Sequence, residues 1–170
     1  MIQRKGHSPI DHRKDGVTAG DTLEVSHHDV AIFARQGQFV RVLQPGSYQV
    51  PPEFSGPDME VFFVLTTPLH DQKFGGNLGA GLPVRAAFGK IQWVIRDPER
   101  AVMAVGFSDT SGFDRWVAST FLKGLQHAAG KAHLAGQPLD GLEAAAMAAA
   151  NETLSAQGVE VLAVTEMQMR

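Results

Sequence analysis

No cysteine occurs in the 170 residues. A disulfide framework, a thiolate-held zinc, an iron–sulfur cluster and a catalytic thiol are therefore excluded. An excess of positive charge is also missing. Fifteen Lys and Arg stand against eighteen Asp and Glu, a net charge of −3, which excludes a basic nucleic-acid footprint over the whole chain. Long hydrophobic runs are absent too. The longest, Ala144 to Ala150, is mostly alanine and far short of the ~20 residues of a spanning helix. The N-terminal MIQRKGH has no apolar stretch behind its basic residues, so it does not read as a secretory signal. A chain of this length buries about 70 % of its unfolded surface and holds a core without staples. A soluble, cytoplasmic chain of one domain is the expectation.

What is present divides by hydrophobic period. Residues 1–21 mix Arg4, Lys5, Arg13 and Lys14 with three aspartates and show almost no apolar periodicity. They read as a loose or locally docked N-terminal tail, with the body of the domain at 22–170. From Leu23 to about Val105 the pattern is of strands. Asp29–Arg35 and Gln38–Leu43 flank Gln36-Gly37, a hairpin signal in which Gly37 supplies positive φ. Pro45-Gly46 suits a type II turn, followed by extended Ser47–Val50 and a Pro-rich connection over 51–57. Met59–Thr67 has no polar alternation and reads as a strand buried on both faces. The glycine-rich segment 75–81 reads as a flexible connection to a long strand over 84–95, with a bend or bulge at Gly89. Asp97-Pro98-Glu99 starts a short helical turn, because Asp97 caps, Pro98 suits the first position and Glu99 favours the positive dipole end.

The last third has helical spacing. Ser111 and Asp114 mark a start. Phe113, Trp116, Val117, Phe121, Leu125 and Ala128 then form one apolar face, which is expected to be core rather than a binding stripe. Gly136 and Pro138 end this helix. Asp140 with Glu143 resembles a second capping box, and Leu142, Ala146, Ala150 and Leu154 stack on a second helix. Gly158 stops it, and residues 159–164 close the chain as a strand. The fold class is α+β: a mixed, largely antiparallel β-sheet packed by C-terminal amphipathic helices.

Chemistry-bearing clusters are few. His27-His28-Asp29 and His70-Asp71 are the clustered metal-ligand types, but neighbours on a strand face opposite ways. His127 and His133, six apart, miss the i, i+4 spacing of a helical metal pair. The 75–81 loop lacks the Lys-Ser/Thr of a phosphate-binding P-loop, and no G-x-S-x-G elbow occurs. Asp97/Glu99 and Glu160/Glu166 are explained by capping and by an exposed strand face. No catalytic residue, metal ligand or cofactor site is nominated.

The order of these motifs resembles the SPFH (band 7) superfamily, which includes stomatins, prohibitins and flotillins. Val30 to Tyr48 (VAIFARQGQFVRVLQPGSY) resembles its opening hairpin and "PG" turn, carried by Gly37, Pro45 and Gly46. Val84 to Ala101 (VRAAFGKIQWVIRDPERA) resembles its long strand ending at Asp97-Pro98. Leu154 to Val161 (LSAQGVEV) resembles its helix–glycine–strand close, with Gly158 as the glycine. Phe62-Phe63-Val64 and Gln72-Lys73-Phe74-Gly75 are similar to a bacterial subgroup related to poxvirus core-type members. The resemblance implies a non-enzymatic, homo-oligomeric scaffold that organises partner proteins, with peripheral membrane contact. It brings no catalytic residues. The chain departs from the pattern in having neither an N-terminal membrane anchor nor a long helical region after the last strand. A different class, a small-ligand protein or enzyme using the 75–81 loop with His70 and Asp71, is the alternative. Nucleic-acid binding through residues 1–21 is disfavoured by their balanced charge.

Overall fold

The structure is a computed structural model that describes residues 1–106 and 110–170. It is α+β, with largely antiparallel sheets and C-terminal helices. The chain forms two compact units. The first is formed by residues 1–68 and 97–113, the second by 69–96 and 114–170.

The first unit is built from short strands whose alternation sorts side chains to two faces. In chain order these are β1 (Ile2–Gln3), β2 (Ile10–Arg13), β3 (Thr22–Val25), β4 (Asp29–Arg35), β5 (Gln38–Leu43), β6 (Gly46–Gln49) and β7 (Met59–Leu65). A 3₁₀ turn over Pro52–Phe54 separates β6 from β7. One sheet has the order β2-β7-β4-β5 and the other β1-β3-β6. The β4–β5 hairpin closes through Gln36 (φ 51°) and Gly37 (φ 76°), the doubly positive pair of a type I′ turn. β7 lies between β2 and β4 with Val61 to Val64 all buried, as its unbroken apolar run predicts. Ala31 and Phe33 of β4 and Val61 and Phe63 of β7 join Leu23 and Val25 of β3 in one buried cluster.

Residues 1–21 are not a loose tail. Ile10 is fully buried and β2 pairs along β7, from Ile10 opposite Val64 to Arg13 opposite Val61. A strand of four residues with one large apolar side chain gives no periodicity to read, and its partner is some fifty residues away. Gly46 takes φ 153° and opens β6 opposite Val25, so the positive φ is needed but the type II value of about 80° is not adopted. Asp97 caps as expected, its Oδ1 accepting from the Arg100 amide at 3.1 Å. The helix it starts, α1 (Pro98–Ala104), is longer than the short turn expected and takes in apolar Ala101 to Ala104.

The second unit has the sheet order β10-β9-β8, from β8 (His70–Asn77), β9 (Ala86–Ile95) and β10 (Val159–Met169). Gly75 and Gly76 therefore lie within a strand, and the connection begins at Leu78. At both glycines a neighbouring side chain fills the space a Cβ would take. A Cβ on Gly75 would meet the Phe88 ring at 2.6 Å, and one on Gly76 would meet Leu122 at 2.5 Å. The irregularity expected at Gly89 falls on its partner strand: between Thr165 and Gln168 the register shifts, and Glu166 takes φ 56°.

Two helices accompany this sheet, α2 (Phe113–Leu134) and α3 (Glu143–Leu154). Phe113, Val117, Phe121 and Leu125 are fully buried, as the apolar face requires, whereas Trp116 is only half-buried. Gly136 (φ 65°) ends α2. Its amide reaches the His133 carbonyl, and that of Gln137 reaches the Ala132 carbonyl, the paired bonds of a Schellman cap. Asp140 does not cap α3; the N-cap position is Leu142, with no side-chain bond. Gly158 (φ 73°) turns the chain into β10.

Candidate functional site

Each cluster singled out in the sequence has a definite place. His27 and His28 lie in the turn between β3 and β4, not on a strand. Their rings therefore come together, with centroids 3.7 Å apart. Asp29 does not join them. Only 2 % exposed, it receives Arg4 Nη1 at 2.6 Å and the Ser26 hydroxyl at 2.6 Å. Arg4 also donates to the carbonyls of Gly6, Ser8 and Phe63. Its fork thus ties residues 4–8 to β4 and β7. Among the described residues no three His, Asp or Glu side chains gather to hold a metal ion.

His70 stacks on Trp93 with centroids 4.2 Å apart, and Asp71 accepts from Gln92 Nε2 at 3.1 Å. Both begin β8, whereas the positive-φ glycines Gly79 and Gly81 lie beyond its other end. Seven residue steps along a strand span about 23 Å. The loop and the His70/Asp71 pair are therefore not one site. The loop borders an open cleft with Arg85 and His133 instead.

The Pro-rich connection is docked. Phe54 tilts against Phe33 with centroids 5.8 Å apart, and Arg41 sits 5.4 Å over the Phe54 ring. Arg35 donates to the carbonyls of Glu53 and Ser55. The strand edges differ in regularity. β10 carries two register shifts, and the Asn151 side chain occupies it, accepting from the Val161 amide and donating to its carbonyl, both at 2.9 Å. β5 ends its sheet but carries a register shift opposite Phe33/Ala34. β8 is different: eight residues pair with β9 from His70 to Asn77 without a shift. A cleft of about 230 Å³ lies between residues 72–75 of β8 and Arg115, Ala118, Ser119 and Leu122 of α2. A long, regular edge strand is a template for another strand.

One titratable group escaped the sequence reading. His12 of β2 stacks on Phe62, with centroids 4.0 Å apart and planes 19° apart, and its side chain is 4 % exposed. Among the described residues its nearest polar partner is Glu60, whose Oε1 lies at a long 3.5 Å from Nε2. Burial pushes this imidazole below its ordinary value, and the Glu60 charge opposes the shift. The two-residue step from Ile10 to His12 was the available signal, within a strand too short to read.

Among the described residues no helix is long and apolar enough to cross a membrane. Neither a protein-family profile nor a curated protein matches the chain.

Proposed function

We propose that this chain is a non-enzymatic scaffold domain of SPFH type whose copies associate by pairing their β8 strands. Support for the family reading comes from the local jobs of its landmark residues. Gln36-Gly37 makes a two-residue hairpin, Asp97-Pro98 converts the end of β9 into a helix start, and Gly158 caps the helical segment before β10.

The observation that carries self-association is β8, the regular edge strand of its sheet, whose far end is held to α2 where Gln126 Nε2 donates to the Asn77 carbonyl at 2.7 Å. Strand addition there extends the sheet by main-chain hydrogen bonds. Two β8 strands meeting antiparallel about a two-fold axis form a closed, self-complementary contact. Asp71 and Lys73 are both exposed and two residues apart, hence on one face. In the register that sets Asp71 of one copy opposite Lys73 of the other, both cross-strand pairs join opposite charges.

Light scattering after size exclusion, over a concentration series, tests this. The wild type is expected to exceed the monomer mass of 18.3 kDa as concentration rises. Asp71→Lys alone and Lys73→Asp alone should remain monomeric, and the double variant should associate again. A wild type that stays monomeric throughout, or single variants that associate as it does, would contradict the reading. Co-sedimentation with anionic liposomes tests the peripheral membrane contact.

A further inference from the structure

A second feature, in the first unit, is independent of β8 pairing. Within the first unit lies a small cavity of about 100 Å³. Its inner wall is apolar: Leu23, Phe33 and Val50 are at most 3 % exposed. Leu43, Tyr48, Pro51 and Phe54 also line it, with the polar Gln49 and the exposed Arg41 at its solvent side. Tyr48 holds its place because its hydroxyl donates to the Gln44 carbonyl at 2.9 Å. Its ring also folds back over Gly46, where a Cβ would approach the ring to 3.3 Å. The Pro45-Gly46 motif thus shapes one wall.

The charge at the rim decides what the cavity suits. Arg41 is exposed and lies over the Phe54 ring. Among the described residues no carboxylate forms an ion pair with it. A dry apolar cavity of about 150 Å³ accepts benzene; this smaller one, open at its rim, takes a short branched alkyl group or the edge of a ring. A guanidinium at the mouth adds a fork that matches a carboxylate.

We propose that this cavity binds small amphipathic carboxylates, with the short alkyl or phenyl body inside and the carboxylate on Arg41. The ligand's apolar part displaces water from a wall that cannot hydrogen-bond to it, which is favourable without any rearrangement of the strands. The anionic head stays at the surface, where its desolvation cost is small.

The chain contains a single tyrosine, Tyr48, so 3-fluorotyrosine labelling places one ¹⁹F reporter in the cavity wall. Titration with 3-methylbutanoate should shift that resonance saturably. Arg41→Gln, a surface change, should weaken 3-methylbutanoate by about tenfold or more, the loss of a charged hydrogen bond. It should leave the weaker binding of neutral 3-methylbutan-1-ol unchanged. Leu43→Phe, which fills the cavity, should abolish the response to both. The monomeric Asp71→Lys variant should bind as the wild type does, so the two proposals fail separately. Absence of a saturable shift, or an Arg41→Gln variant that binds the carboxylate as well as the wild type, would overturn the assignment.

Discussion

Arg4 and Asp29, twenty-five residues apart in sequence, meet at 2.6 Å in an ion pair whose carboxylate is 2 % exposed. The pair is one anchor of the N-terminal segment, and its removal should be costly because Asp29 would remain buried without its counter-ion. Arg4→Met is expected to lose about 3–5 kcal/mol in urea unfolding. A loss below about 1 kcal/mol, the size of a surface pair, would contradict a docked segment.

His12 should make stability depend on pH. Its folded-state value is depressed below the ordinary 6.5, chiefly by burial, with Lys14 acting the same way and Glu60 and Asp11 opposing. The unfolded chain therefore binds the proton more readily. The contribution is complete above about pH 6.5 and is lost as pH falls through the folded-state value. The urea midpoint of the wild type should fall more steeply than that of His12→Phe over about pH 7 to 5. Parallel profiles would show that His12 takes no part.

Gly124 and Gly130 lie in the same helix but should respond oppositely to alanine. At Gly124 a Cβ would stand 2.8 Å from both the Ala146 carbonyl oxygen and the Ala150 amide nitrogen, whereas at Gly130 it would meet nothing within 4 Å. Gly124→Ala should lower the melting temperature, because overpacking at about 1–3 kcal/mol outweighs a helix-propensity gain of about 1 kcal/mol. Gly130→Ala should raise stability by about 0.5–1 kcal/mol. Equal effects at both sites would mean that α2 and α3 do not pack through Gly124.

Phe121 is fully buried and meets Phe74 edge-on, with centroids 4.8 Å apart and planes at 61°. Phe121→Ala should cost about 3–5 kcal/mol. Phe121→Asp should give unfolded or insoluble protein. A soluble Asp variant with unchanged circular dichroism would contradict a core role.

The elements legible in the sequence are those whose signals are local. The β4–β5 hairpin carries its turn chemistry at Gln36-Gly37, and α2 carries its apolar face on one long helix. Where the determinant is a distant neighbour, the sequence is silent. β2 is defined by β7, and Gly75 and Gly76 are strand because they pair with Phe88 and Ala87 of β9. Asp140 has a capping spacing, but the chain reaches α3 through Leu142. His70 and Asp71 stood out as a ligand pair, yet the loop meant to join them lies at the other end of β8. The Arg41 cavity is formed from five separate segments, none with a motif for ligand binding.

Hydrogen–deuterium exchange of β8 at increasing protein concentration addresses the self-association claim most directly, because it locates the contact. Amides within residues 70–74, the stretch that this register pairs, should become protected in step with the rise in mass, and Asp71→Lys should remove both changes. A rise in mass with β8 exchanging at a constant rate, or exchange and mass that are both independent of concentration, would contradict the account.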